Sequence, residues 1–172
     1  MKEIFTATVN KDQIWEMSHF HFHDPYEILF ITGKPYDSLE KSIGMKDAPG
    51  SLKEHGITWS VVDLIDGCQF DIDRITSSIR SCTKVLYIQR SKGYADRLSC
   101  SPEAIGEVIR KARTVKKDLI AVVDNCYGEF VDTTEPTDHG ADLCIGSLIK
   151  NPGGGLAPMG GYLAGKRELI ER

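Results

Sequence analysis

Short apolar runs bounded by turn-forming residues recur along this chain, and several of the segments between them carry a helical pattern. That alternation constrains the fold more than any other feature. The runs are Ile28-Leu29-Phe30-Ile31, closed by Thr32-Gly33-Lys34-Pro35; residues 57–64, rich in β-branched side chains; Lys84-Val85-Leu86-Tyr87-Ile88-Gln89; Leu119-Ile120-Ala121-Val122-Val123; Leu143-Cys144-Ile145-Gly146-Ser147-Leu148-Ile149; and Gly161-Tyr162-Leu163-Ala164. Apolar stretches of this length between Gly, Pro and polar residues fit buried strands. Residues 36–43 can start a helix, and residues 44–56, with Pro49 and three glycines, form a loop. Ile72, Ile75 and Ile79 fall on one helical face, with Asp71 at the amino end, where the helix dipole favours it. Ser101 and Pro102 supply a cap and a first helical residue for a segment striped by Ile105, Val108, Ile109 and Ala112. Strands alternating with helices predict an α/β fold, a three-layer sandwich in which a mainly parallel sheet carries helices on both faces.

Two of the runs end on groups that can do chemistry. Asp124 directly follows Val123, and Lys150 directly follows Ile149. Ligands of open α/β sheets bind at the carboxyl ends of the strands, so an acid and an amine delivered there suggest one shared site. A carboxylate and an amine over one small molecule suit pyridoxal phosphate, whose aldehyde forms a Schiff base with lysine while an acid faces its pyridinium nitrogen. Ser147 stands three residues before Lys150, where a hydroxyl can hold a phosphate oxygen, and Tyr127 stands three after Asp124, where a phenol can reach the ring's phenolic oxygen. Neither pair is specific alone, because S-x-x-K recurs by chance and a lysine after a strand is usually just solvated.

Composition narrows the partners. With 172 residues the chain fits one domain with a real core. Its 21 basic and 25 acidic residues are interspersed, which leaves no basic face for nucleic acid and points to a small molecule or another protein. No apolar run approaches the roughly 18 residues of a membrane span, and the first residues lack a signal-peptide core, so the expected location is the cytoplasm. The five cysteines are an odd number without a C-x-x-C pair, against a disulfide framework or zinc cluster. Cys126, beside Asp124, is either a nucleophile or a small core residue. His19, His21 and His23 alternate with Phe20 and Phe22 and would share a strand face, either as metal ligands or as a polar face; the only other histidines are His55 and His139.

The blocks VVDNCYGEF and GADLCIGSLIKNPGGGLAPMGGYLAG, preceded in order by ITGKPYDSLEKSIG, GSLKEHGI and YIQRSKGYADR, resemble fold type I pyridoxal phosphate enzymes. The resemblance is greatest to the methionine gamma-lyase and cystathionine beta-lyase related family, also called aluminium resistance proteins. It runs from about residue 27 to the end and divides the chain into a divergent segment, residues 1–26, and a partial cofactor-binding large domain, residues 27–172. It implies a carbon-sulfur lyase acting on a sulfur-containing amino acid, with Lys150 as Schiff-base lysine, Asp124 at the pyridine nitrogen, Tyr127 near the phenolic oxygen, Ser147 at the phosphate and Tyr36 stacked on the ring. Arg90 becomes a candidate for the substrate carboxylate, which a guanidinium binds as a fork. A homo-oligomer, dimer or tetramer, is implied too. Members of the family are considerably longer, so the chain resembles the middle of the enzyme, and a non-catalytic fragment is the main alternative. Residues 160–166 also fit G-x-x-x-x-G-K, the start of a nucleotide-binding P-loop, although Arg167 stands where Ser or Thr should hold magnesium. The glycines at 153–155 lack a following helix pattern and suit a close backbone approach to the site or to a neighbouring subunit.

Overall fold

The computed structural model of the chain describes Ile4–Phe5 and residues 25–171; His19, His21 and His23 lie outside the described residues. Among the described residues seven strands form one sheet: β1 (Ile4–Phe5), β2 (Glu27–Phe30), β3 (Thr58–Val61), β4 (Thr83–Gln89), β5 (Ile120–Asp124), β6 (Leu143–Ser147) and β7 (Gly161–Gly165), in the order β1-β7-β6-β5-β4-β2-β3. Strands β3, β2, β4, β5 and β6 are parallel, β7 runs antiparallel to β6, and β1 runs antiparallel to β7. The chain goes outward from β2 to β3, crosses back to β4 on the other side of β2, and then adds β5, β6 and β7 one at a time. The expectation of a mainly parallel α/β sheet is met. The P-loop reading is not, because Gly161–Gly165 is a ladder strand, which leaves no loop there to cradle a phosphate.

Among the described residues four α-helices cover the sheet: α1 (Asp37–Ile43), α2 (Ile72–Ser78), α3 (Pro102–Val115) and α4 (Arg167–Ile170). The apolar runs are continuous because both faces of each central strand are buried. On one face Leu29, Ile31, Leu86, Ile88, Ala121 and Val123 meet Ile75 of α2 and Ile105, Val108, Ile109 and Ala112 of α3. On the other, Ile28, Phe30, Val85, Tyr87, Val122 and Leu143 meet Ile43 of α1 and Leu52, with Leu169 and Ile170 of α4 at the margin. Each fully buried aliphatic side chain contributes about 1.5–3 kcal/mol, so the two cores dominate stability. Local signals agree: the Ser101 side chain accepts from the Ala104 amide at 3.2 Å and the Asp71 side chain from the Arg74 amide at 3.0 Å. Residues 44–56 hold a short 3-10 turn, Leu52–His55, inside the expected loop.

Buried acids at the amino ends of the strands are paired. Glu27 has no solvent exposure and takes hydrogen bonds from Arg80 Nε at 3.1 Å and from the Thr83 hydroxyl. Burial pushes its carboxyl up, and the bonds from Arg80 and Thr83 more than offset that, so the group is held below the usual carboxylate range. Asp142, before β6, accepts from the Ala121 amide at 2.7 Å and forms ion pairs with Arg113 and with Lys166, the latter at 2.7 Å. No helix among the described residues is long and apolar enough to cross a membrane.

Candidate functional site

The carboxyl ends of β5 and β6 lie side by side, joined in register at Asp124 and Ile145, and the Asn125 amide donates to the Ile145 carbonyl at 2.8 Å. Strand β5 thus delivers Asp124, which is 3% exposed, and β6 delivers Ser147 and, one turn on, Lys150. The Asp124 Oδ1 accepts from the Cys126 amide at 3.0 Å. Burial raises the Asp124 carboxyl above its ordinary range; the Cys126 amide and thiol and the charge of Lys150 oppose that rise without cancelling it. Asp124 therefore differs from Glu27, whose cationic partner more than compensates its burial. A buried acid in this state gains from any cationic N–H donor brought to it.

Lys150 Nζ lies 4.4 Å from the centroid of the Tyr127 ring, within cation–π range. Tyr127 reaches that position through a left-handed backbone, φ 66°. The Lys150 amide donates to the Ser147 carbonyl at 3.2 Å, and the Ser147 hydroxyl lies 3.5 Å from the Gly160 carbonyl, the outer limit of a hydrogen bond. Tyr36, immediately before α1 and 42% exposed, has its phenol pushed up by burial and by the nearby Asp124 and Cys126. Asp124, Tyr127, Ser147, Lys150 and Tyr36 are thus gathered at one end of the sheet. As a donor set, a buried carboxylate, an amine, a hydroxyl and two aromatic rings fit pyridoxal phosphate.

Arg90 is not brought to the open face. Its side chain is 4% exposed, and Nη1 donates to Asn125 Oδ1 and the Gly128 carbonyl, both at 2.8 Å, and to Glu135 Oε2 at 3.3 Å, while Nη2 meets Asp132. With its donors committed to the 125–135 loop, it presents no open fork to a substrate carboxylate.

Sequence reasoning did not single out Tyr87, Glu129 or Tyr162. Tyr87 is 7% exposed, and its phenol is pushed well up by burial, with Asp124 and Tyr36 adding to the shift. Its only sequence signal is a hydroxyl on the apolar face shared with Val85. The Tyr162 hydroxyl donates to Glu129 Oε1 at 2.8 Å, directly over Gly146, where a Cβ would stand 2.3 Å from the Tyr162 ring. The Glu129 carbonyl accepts from Asn151 Nδ2 at 3.0 Å, which ties the loop after β5 to the residue following Lys150. In the glycine run, a Cβ on Gly153 would lie 2.3 Å from the Leu148 carbonyl, so that glycine serves close packing within the Lys150 loop itself.

Cys126 carries a further expectation. Burial and the neighbouring Asp124 push its thiol up to about 12, so the thiolate is scarce at pH 8. Iodoacetamide at pH 8, followed by peptide mass spectrometry, is expected to label the exposed Cys68 and Cys82 well before Cys126. Labelling of Cys126 ahead of both would contradict a half-buried, protonated thiol and restore it as a candidate nucleophile.

Comparisons with known proteins cover the stretch that holds these residues. A family model described as methionine gamma-lyase matches residues 17–172, so the likeness begins upstream of residue 27. The protein YnbB of Bacillus subtilis is 52% identical over 147 residues, 84% of this chain and 35% of its own. A proposed cystathionine beta-lyase involved in aluminium resistance from Listeria monocytogenes superposes with TM-score 0.85 at 47% identity, over 91% of this chain and 39% of that one. A carbon-sulfur lyase involved in aluminium resistance from Clostridium novyi does so with TM-score 0.84 at 41% identity, over 92% and 38%. The chain therefore spans little more than a third of the length of these relatives.

Proposed function

We propose, from the premise that this chain belongs to the methionine gamma-lyase family, that it is the cofactor-holding portion of a pyridoxal phosphate-dependent carbon-sulfur lyase acting on a sulfur-containing amino acid. The observation that carries this reading is the placement of Asp124 and Lys150 at the ends of adjacent parallel strands, the acid buried and the amine over an aromatic ring. When bound, pyridoxal phosphate supplies an electron sink for charge developed at the substrate α-carbon.

The chain's own residues have separable parts in that chemistry. Lys150 Nζ would hold the cofactor aldehyde, and as a free amine it would be placed to take the proton from the substrate α-carbon. Asp124 would accept a charge-assisted hydrogen bond from the ring nitrogen and so favour its protonated form. Ser147 Oγ would donate to a phosphate oxygen, Tyr36 would cover the ring, and Tyr127, which lies against Lys150, would fix the amine's position and offer its phenol to the ring oxygen. A homo-oligomer is part of the same proposal, supported by the exposed apolar side chains of Phe130 (79%), Leu156 (92%) and Met159 (60%) beside the site; sedimentation as a monomer at high concentration would contradict it. The reading is tested by titrating the purified chain with pyridoxal phosphate, which is expected to give a saturable visible absorbance band. A spectrum equal to that of the free cofactor at every concentration would remove the assignment.

A further inference from the structure

We propose that Arg90 is a positioning residue for the cofactor site: from the end of β4 its guanidinium holds the 125–135 loop in the one shape that carries Tyr127 to Lys150. The proposal rests on the reading that Lys150 and Tyr127 serve the cofactor, and it adds the device that brings them together.

The geometry is unusual in how many partners one side chain gathers. Nη1 reaches Asn125 Oδ1, the Gly128 carbonyl and Glu135 Oε2, and Nη2 reaches Asp132, so contacts fall at both ends and the middle of the loop. The Arg90 amide donates to the Asp124 carbonyl at 3.0 Å, so its backbone fixes the residue where the loop begins. Glu135 completes the closure by accepting from Asn125 Nδ2 at 2.9 Å and from the Phe130 amide at 3.0 Å.

The loop needs such a clamp. Tyr127 and Phe130 both have left-handed backbones, φ 66° and 62°, a conformation that side-chain-bearing residues hold only when their surroundings impose it. Gly128 lies against the guanidinium: a Cβ there would stand 2.5 Å from Arg90 Nη1 and 2.6 Å from Cδ. Only a planar, five-donor cation can meet an amide oxygen, a carbonyl and two carboxylates at once; an ammonium on the same stem cannot. Without the cation, the Asp132 and Glu135 carboxylates lose the guanidinium that both of them contact. The loop then opens, and Tyr127 leaves Lys150.

The test uses the chain without cofactor. Acylation of each lysine by acetic anhydride is followed by peptide mass spectrometry in wild type, Arg90→Met, Arg90→Lys and Gly128→Ala, with the exposed Lys92 and Lys111 as internal references. Loss of a cation–π contact of about 0.5–1 kcal/mol corresponds to about a two- to fivefold faster reaction at Lys150. The expected result is that rise at Lys150 in Arg90→Met and Gly128→Ala, unrelieved in Arg90→Lys, with the reference lysines unchanged and the Arg90→Met/Gly128→Ala pair less than additive. An unchanged Lys150 rate in the folded variants would overturn the proposal. So would an equal rise at every lysine, which would make Arg90 a residue of the fold alone. Should Arg90→Met fail to fold, Gly128→Ala, which keeps the charge and only displaces it, decides by the same readout. A pyridoxal phosphate titration of the wild type separately decides the cofactor reading, so failure of one is not mistaken for failure of the other.

Discussion

Lys150→Ala is expected to abolish completely the saturable, protein-bound change in the pyridoxal phosphate spectrum, leaving that of the free cofactor, while the chain stays folded. The amine is the group proposed to meet the cofactor aldehyde. It stands just beyond β6, on a loop packed by Gly153 against the Leu148 carbonyl, and over the Tyr127 ring at 4.4 Å. Truncation to alanine removes the only nitrogen in that position and, on the folding side, forfeits one partly exposed cation–π contact of about 0.5–1 kcal/mol. That is small beside the roughly 5–15 kcal/mol stability of a domain, so the melting temperature should fall by a few degrees at most. Parallel absorbance and thermal melts check both halves. A protein-bound change that survives in Lys150→Ala would assign the cofactor to another lysine.

Asp124→Asn is the second large effect, and its two consequences have opposite signs. For the cofactor, the proposed charge-assisted hydrogen bond from the ring nitrogen to the carboxylate would be worth about 1.5–3 kcal/mol, so affinity should weaken about 10- to 100-fold. For the chain without cofactor the change should be stabilising. The Asp124 carboxyl is raised above its unfolded value by burial, so across the window between the unfolded and folded values the native state binds more protons than the unfolded state, and stability falls as pH rises through that window. At neutral pH, above the unfolded value, that loss bears on the wild type. Asparagine keeps an oxygen for the Cys126 amide and has no proton to lose, so the variant should melt higher than wild type at pH 7 and by a smaller margin at pH 4. A pH series of thermal melts reads this directly. Destabilisation of Asp124→Asn at pH 7 would mean that the carboxylate serves the fold rather than a ligand.

The sheet was legible because its central strands are buried on both faces: runs such as Leu86-Tyr87-Ile88 and Ala121-Val122-Val123 have no polar face to confuse with a surface helix. Helix α3 was legible from Ser101, Pro102 and its apolar stripe. The two ends that matter, Asp124 and Lys150, could be read because strand ends are where such sheets bind ligands, whereas Tyr36 came only from family resemblance, its neighbours Asp124 and Cys126 lying far along the chain. The partners of Arg90 were not legible in the sequence for a physical reason. A guanidinium at a strand end suits a substrate carboxylate, but its actual acceptors, Asn125, Gly128, Asp132 and Glu135, converge on it through a loop whose left-handed residues, Tyr127 and Phe130, are not glycines and carry no turn signal. The Tyr162–Glu129 pair was hidden in the same way, since it crosses from β7 to that loop over Gly146.

The central claim, that Lys150 is the amine that binds the cofactor aldehyde, is tested most directly by reducing the chain with borohydride in the presence of pyridoxal phosphate and mapping the added mass by peptide sequencing. The account predicts one stoichiometric pyridoxyl group on Lys150, suppressed when Asp124 is replaced by asparagine. Label spread over the exposed lysines in proportion to their accessibility, with Lys150 no more modified than Lys92 or Lys111, would contradict it.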